Sequence, residues 1–262
     1  NRYVATAAAN LALSADYCRP VMSDDTVFSI TNGRHPVIEM MLDAQTQFVP
    51  NGCDLAGGQI WLLTGPNMAG KSTVMRCVAI TVILAQMGAM VPADYAEFDI
   101  VDQVFTRIGA SDNLAEGQST FMVEMVETAT ICNNATSRSL ILLDEIGRGT
   151  STFDGVSIAA AISEYLVTQI KARTMFATHY HELTALADKY PQIRNASMQI
   201  KVSNQSLVFT YRLVLGVAEK SYGVMVATMA GLPKIVTDKA NEWLEKFEQS
   251  VESGEMVQLS LF

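Results

Sequence analysis

Residues 60–73 read Ile-Trp-Leu-Leu-Thr-Gly-Pro-Asn-Met-Ala-Gly-Lys-Ser-Thr, an apolar run, a glycine-containing turn and the start of a helical pattern. Gly65, Gly70, Lys71 and Ser72 fit G-x-x-x-x-G-K-[ST], the P-loop. Wrapping a polyphosphate in backbone N–H groups requires residues with no Cβ in the way. The helix that starts at the lysine then points its positive dipole end at the phosphates. Gly65, Pro66, Asn67, Met68, Ala69, Gly70, Lys71, Ser72 and Thr73 are therefore the candidate nucleotide-binding residues. Lys71 reaches the β- and γ-phosphates as a mobile cation, and the Ser72 hydroxyl serves Mg²⁺.

At 262 residues the chain is long enough to bury a full core without staples, and its 49% hydrophobic content agrees. Its net charge of −9 provides no general basic field for gripping nucleic acid. Cys18, Cys53, Cys77 and Cys132 are scattered with no C-x-x-C pair, which fits reduced thiols better than a disulfide frame or a zinc site. No signal peptide opens the chain, and a start at Asn1 suggests a piece of a longer polypeptide or a processed start. The apolar run from Val74 to Val91 approaches bilayer length but carries Arg76, Thr81 and Gln86, so a helix buried against a sheet is the better reading.

In chain order, Asn1 to Tyr17 reads as a helix arriving from upstream. Val27 to Ile30 and Pro36 to Ile38 read as short strands about the turn Thr31-Asn32-Gly33, and Asn51-Gly52 and Gly57-Gly58 punctuate a loop. Asp102 to Ile108 reads as a strand, followed by a polar loop from Gly109 to Thr120. Phe121 to Ala135 has helical periodicity that puts Met122, Met125, Val126, Ala129 and Cys132 on or near one face, read as core packing. Gly147 to Gly155 is a second glycine-rich loop, Val156 to Ile170 a helix and Thr174 to Thr178 a strand. Ser197 to Val202 and Ser206 to Leu213 read as an antiparallel pair turning at Asn204-Gln205. Ala218 to Glu252 reads as two helices parted by Gly231-Leu232-Pro233. The alternation of strand and helix predicts an α/β fold with a largely parallel sheet.

Leu140 to Leu143 is the apolar run of a buried parallel strand, and it delivers Asp144 and Glu145 at its C-terminal end. In a P-loop ATPase an Asp in that place helps hold Mg²⁺, and an adjacent Glu orients or deprotonates the attacking water. His179 follows the apolar strand TMFAT, where it can hydrogen-bond a γ-phosphate or that water. Metal binding by His179 and His181 is disfavoured, since Ala185 breaks H-E-x-x-H.

GPNMAGKST, STFMVEM (Ser119 to Met125), DEIGRGTSTFDG (Asp144 to Gly155) and ATHYHEL (Ala177 to Leu183) together resemble the ATPase domain of the MutS family of DNA mismatch repair proteins. With GRHPVIE (Gly33 to Glu39) and KSYGVMVATMAGLP (Lys220 to Pro233), the resemblance covers nearly the whole chain. It implies a P-loop, ABC-type ATPase head with a mixed, largely parallel central sheet and a C-terminal helical hairpin, working as a dimer with ATP or ADP and Mg²⁺ between subunits. On that resemblance Lys71, Glu145 and His179 are catalytic, Ser72 and Asp144 hold Mg²⁺, and Asn67 reaches the γ-phosphate region. Ser119 contacts nucleotide bound by the other subunit, and Phe48 and Tyr211 sandwich adenine. Ala69 stands where many relatives have glycine, a change small enough to leave the phosphate cradle intact.

The resemblance also implies an organisation: a helical tail of an upstream connector or lever region at 1–26, an ATPase core at 27–217, a helix-turn-helix dimerisation unit at 218–252 and an acidic tail at 253–262. In that tail Gln258 to Phe262, QLSLF, resembles the peptide by which bacterial repair proteins dock onto the sliding clamp. The expected function is coupling of ATP binding and hydrolysis to the conformation of a DNA-bound mismatch sensor, with a MutL-type factor as partner, in the bacterial cytoplasm at the nucleoid. The Phe-x-Glu wedge and the DNA-embracing arms of the family are absent from this sequence, so the chain is expected to be the motor without the reader. Two other readings stand beside this one. A transporter or chromosome-organising ATPase head is opposed by STFMVEM in place of LSGGQ, and a nucleotide-gated scaffold without turnover is opposed by the intact Asp144-Glu145 pair.

Overall fold

Short strands and a short helix precede the P-loop strand. The elements are β1 (Val21–Met22), β2 (Phe28–Gly33), α1 (Pro36–Met41), β3 (Asn51–Asp54) and β4 (Ile60–Thr64). After a 3₁₀ turn at Asn67–Ala69 come α2 (Lys71–Gln86), β5 (Tyr95–Phe98), β6 (Val104–Arg107), α3 (Thr120–Asn134), β7 (Leu140–Asp144) and α4 (Thr152–Tyr165). They continue with β8 (Arg173–Ala177), α5 (Leu186–Lys189), β9 (Ile193–Ser203), β10 (Ser206–Leu215), α6 (Gly223–Met229) and α7 (Lys234–Ser253). The computed structural model describes residues 6, 10, 16–43, 45–108, 120–203, 206–218 and 222–253. The sequence readings at Asn1 to Tyr17 for the most part, at Gly109 to Ser119, at Asn204-Gln205 and at Gln258 to Phe262 lie outside the described residues.

The fold is α/β with two sheets. The larger has the strand order β10-β9-β4-β8-β7-β6, and its pairs β9-β4, β4-β8, β8-β7 and β7-β6 are parallel. Its central strands β4, β8 and β7 are largely apolar and buried along nearly their whole length because both faces are covered. On one face Ile60, Leu62, Ile141, Leu143 and Phe176 pack with Ile131 of α3 and Ala159 of α4. Trp61, Leu63, Leu142 and Met175 alternate to the other face, and α2 packs on β7 and β8. The smaller sheet, ordered β1-β5-β2-β3, combines one parallel and two antiparallel pairs. Asp99 at its edge pairs at 2.6 Å with Arg173, a β8 residue that is 1% exposed.

The chain divides into two compact units. One comprises Asn1–Gln199 with Thr210–Glu219, and the other comprises Ile200–Phe209 with Lys220–Phe262. In the second unit α6 and α7 pack together, and Trp243 stacks on Phe247 along α7 with ring centroids 6.0 Å apart.

Several sequence expectations need correction. Pro36 to Ile38 is the first part of a helix and not a strand, because His35 caps it by accepting from the Ile38 N–H and proline fits the first helical position. Thr31-Asn32-Gly33 belongs to β2, where Asn32 at φ 51° accompanies a shift of register against β3, and Asn51-Gly52 starts a strand. The glycine-rich loop after Glu145 closes at Ser151, which caps α4 by accepting from the Asp154 N–H, so Gly155 is helical. α4 gives way to a wider π turn at Leu166–Ile170, ended by Lys171 at φ 59°. On α3 the expected core face is right only in part: Met125 packs against the core and Cys132 is half-buried, but Met122, Val126 and Ala129 are exposed, and the buried residues are Glu124, Thr128 and Ile131.

Candidate functional site

Parallel strands release their next residues at one end of a sheet, and the register here aligns three such ends. Leu63 of β4 pairs with Ala177 of β8, and Ala177 pairs in turn with Asp144 of β7. The turn at Gly65, the Asp144-Glu145 pair and His179 therefore emerge side by side, although 114 residues separate the first from the last.

The turn from Gly65 to Gly70 takes its shape from those two glycines, at φ 117° and 99°, values that other residues rarely adopt. Between them Asn67–Ala69 makes one 3₁₀ turn whose Ala69 is fully buried, so a small residue is required there. Pro66 and Met68 frame the turn, with Met68 63% exposed. Lys71 is 1% exposed, and its ammonium donates to the Gly65 carbonyl and to Asn67 Oδ1 at 3.2 Å. Burial pushes its pKa down, while the Glu145 and Asp144 carboxylates pull it back up. Ser72 and Thr73 occupy the first turn of α2, and Ser72 Oγ donates to Asp144 Oδ2 at 2.5 Å. Burial raises the Asp144 pKa, and the Ser72 hydrogen bond opposes it.

Glu145 has φ 57°, a left-handed conformation that costs a non-glycine residue about 1–2 kcal/mol. Its N–H donates to the Ala177 carbonyl at 2.8 Å, and its carboxylate pairs with Arg148 at 2.7 Å. Burial lowers the His179 pKa and favours the neutral imidazole, with Glu145 acting in the other direction. The next residue, Tyr180, donates its hydroxyl to the Gly147 carbonyl at 2.8 Å. Lys71, Ser72, Asp144, Glu145 and His179 thus form one constellation. Ser119 lies outside the described residues.

Phe48 and Tyr211, 163 residues apart, line one cavity of about 390 Å³ beside the P-loop, with Ile38, Leu42, Val49 and Met68 supplying more of its wall. Such an apolar lining suits a flat aromatic ring. The sequence reading missed Asn51, which donates to the Tyr211 carbonyl at 2.9 Å and accepts from the Leu213 N–H at 2.7 Å. These bonds hold Tyr211 at φ 55°. The Asn-Gly dipeptide read as punctuation of a loop, and nothing in the sequence signalled a partner 160 residues away. Glu124 and Tyr180 were also missed as groups that tie loops of the site together. A larger cavity, about 650 Å³, lies at the opposite end of the strands beside Gly57, Arg138 and Lys171, away from this constellation.

The Ser72 hydroxyl and the Asp144 carboxylate are hard oxygen donors, the type that Mg²⁺ takes. Among the described residues no cluster of three or more His, Cys, Asp and Glu side chains could hold a metal. Two protein oxygens suit an ion whose remaining ligands are phosphate and water, and the residues fit Mg²⁺ in that way. No described helix is long and apolar enough to cross a membrane.

A family model described as MutS domain V matches residues 61–248. The chain is 52% identical over 256 residues to a DNA mismatch repair protein MutS of Carboxydothermus hydrogenoformans, covering 96% of this chain and 30% of that protein. It is 53% identical over 247 residues to a protein of the same name from Rhodopirellula baltica, covering 94% and 28%. Over 237 residues it is 54% identical to another from Orientia tsutsugamushi, covering 90% and 27%. The chain spans less than a third of the length of these relatives.

Proposed function

Because this chain belongs to the MutS family, whose domain V it matches, we propose that it is an ABC-type ATPase head that binds and hydrolyses ATP to set the conformation of a DNA mismatch sensor. The observation that carries the reading is the convergence of Lys71, the Ser72–Asp144 pair, Glu145 and His179 at one end of the large sheet.

The P-loop N–H groups and the start of α2 hold the phosphates, and Lys71 leaves its internal acceptors to pair with them. Ser72 and Asp144 would hold Mg²⁺, which when bound would neutralise phosphate charge. Glu145 accepts a proton from the attacking water, and neutral His179 orients that water or the γ-phosphate. The adenine ring enters the cavity between Phe48 and Tyr211.

Ser119 completes the site of a second subunit, which makes the working form a dimer of heads. The exposure of Met122 (56%), Val126 (52%) and Phe153 (87%) supports an interface on that side of the fold. The α6–α7 pair extends the dimer, supported by the exposure of Ile235 and Trp243. Residues 1–26 continue an upstream lever, 27–217 form the core and 218–252 the dimerisation unit. Mismatched DNA is bound by parts of the longer protein. A MutL-type factor and, through Gln258 to Phe262, the sliding clamp are the further partners, in the bacterial cytoplasm at the nucleoid.

ATP turnover of the chain over a range of protein concentrations, with Lys71→Ala as the blank, tests the reading. Turnover per molecule should rise with concentration and level off as dimers form. A rate that Lys71→Ala does not reduce would remove the P-loop from the chemistry.

A further inference from the structure

Glu124 lies in the second turn of α3 with 6% of its surface exposed, and a carboxylate so buried needs partners. It accepts the Gly147 N–H at 2.5 Å, and its other oxygen stands 4.0 Å from Arg107 Nη2. Arg107 has a closer acid in Glu127, at 2.7 Å. The backbone hydrogen bond is therefore the tighter of the two Glu124 contacts.

Gly147 is held from both sides, since its carbonyl accepts the Tyr180 hydroxyl. A Cβ on Gly147 would stand 2.7 Å from Gly155 backbone, so the loop has no slack toward α4. Glu145 and Gly147 both have positive φ, at 57° and 89°. Glycine takes that conformation freely, but Glu145 does not, and contacts from outside the loop help to hold it there. Glu124 supplies one from α3, a helix that begins one residue after Ser119. Tyr180 supplies the other, next to His179.

We infer that Glu124 is a positioning residue for hydrolysis: through the Gly147 N–H it sets the place of the Glu145 carboxylate, and it links that carboxylate to the end of α3 that meets the other subunit's nucleotide. The inference rests on the ATPase reading above. An apolar residue would fill the same space, and a plain ion pair with Arg107 would not need the reach to Gly147. The carboxylate does both, and only the bond to Gly147 bears on the catalytic loop.

Two variants separate these roles. Glu124→Asp keeps the charge beside Arg107 but withdraws the carboxylate by one methylene from Gly147. Glu124→Gln keeps the reach and an acceptor oxygen but loses the charge. The experiment is steady-state ATP turnover together with ATP affinity for the chain and both variants, with Lys71→Ala as the blank. The expected result is a kcat lowered at least about tenfold in Glu124→Asp with KM and ATP affinity little changed, and a kcat within about threefold of the parent in Glu124→Gln, since small displacements of a catalytic group cost rate and not binding. The reverse order, parental kcat in both variants, or joint loss of kcat and ATP affinity in both would overturn the inference. A parent chain without Lys71-dependent turnover overturns the ATPase reading and this inference with it, so the parent rate tells the two failures apart.

Discussion

Ser72 at the start of α2 donates its hydroxyl to Asp144 at the end of β7 across 2.5 Å, joining the two motifs that the sequence separates by 72 residues. The arrangement keeps an acid partly buried beside a second acid, Glu145, and the protein bears that cost in stability.

The first prediction concerns pH. The folded state raises the Asp144 pKa above its unfolded value of 3.8, so the folded form holds the proton more tightly. That contribution is full below the unfolded pKa and is lost as pH rises through the folded one, which leaves ionised Asp144 destabilising at neutral pH. Asp144→Asn should therefore raise the Tm at pH 7 when no divalent metal is present. At pH 3 to 4 the gain should vanish. Thermal melts across that range check it, and a lower Tm at pH 7 would contradict it.

Lys71 is buried and held by neutral acceptors, with burial pulling its pKa down. Lys71→Met, of similar length and without charge, should fold with a Tm equal to or above that of the parent. Mg-ATP at about 100 times its Kd should stabilise the parent by about 2.7 kcal/mol and leave the variant unmoved. A variant that still gains stability with ATP would free Lys71 of its assigned part.

Glu145 touches neither the P-loop turn nor the apolar cavity in any hydrogen bond described above, and its partners are Ala177 and Arg148. Glu145→Gln should accordingly bind ATP with affinity near that of the parent and turn it over about 10²-fold or more slowly, the usual loss of a general base. Single-turnover measurement with radiolabelled ATP separates binding from chemistry. Parental turnover would rule out the catalytic role.

Asn51→Ala leaves the Tyr211 carbonyl and the Leu213 N–H without their side-chain partner, at about 1–3 kcal/mol of stability. Because Tyr211 shapes the apolar cavity and not the phosphate turn, ATP and ADP should both bind about three- to tenfold more weakly, while inorganic tripolyphosphate binds as before. Calorimetric titration with the three ligands is the check. An equal loss for tripolyphosphate would sink the assignment of Asn51 to the base end.

Gly155 lies inside α4, where alanine would ordinarily favour the helix by about 1 kcal/mol. A Cβ there would overlap the Tyr180 hydroxyl and the Gly147 carbonyl. Gly155→Ala should be net destabilising by about 1–3 kcal/mol, read as a fall in denaturant midpoint. A rise would mean that the loop after Glu145 yields more readily than its packing indicates.

How far the sequence was legible varies by element. β4, the turn after it, α2 and β7 are local affairs: unbroken apolar runs, two glycines and a helix start settle them, and they carried Lys71, Ser72, Asp144 and Glu145. At Pro36 the local signals conflicted, since a proline among apolar residues fits a strand edge or a first helical turn, and the His35 cap resolved it. The smaller sheet escaped because β1 and β3 are short and find their partners far along the chain. α3 was recognised as a helix, yet its buried face was misjudged in part. Apolar periodicity marks the side that prefers to leave water, whereas Glu124 is turned inward by a backbone N–H that the sequence does not display.

The amino-acid order by itself determined the glycine turn with the P-loop pattern, the strand that delivers two carboxylates and the family, because each depends on residue types at short spacing. Only the tertiary structure decided that β4, β8 and β7 lie in parallel with Leu63, Ala177 and Asp144 in register, that Tyr211 faces the cavity of Phe48, and that Asn51 and Glu124 turn their polar ends to distant backbone. The reason is physical. A buried polar group must find a partner wherever the chain places one, and that location depends on how the layers pack.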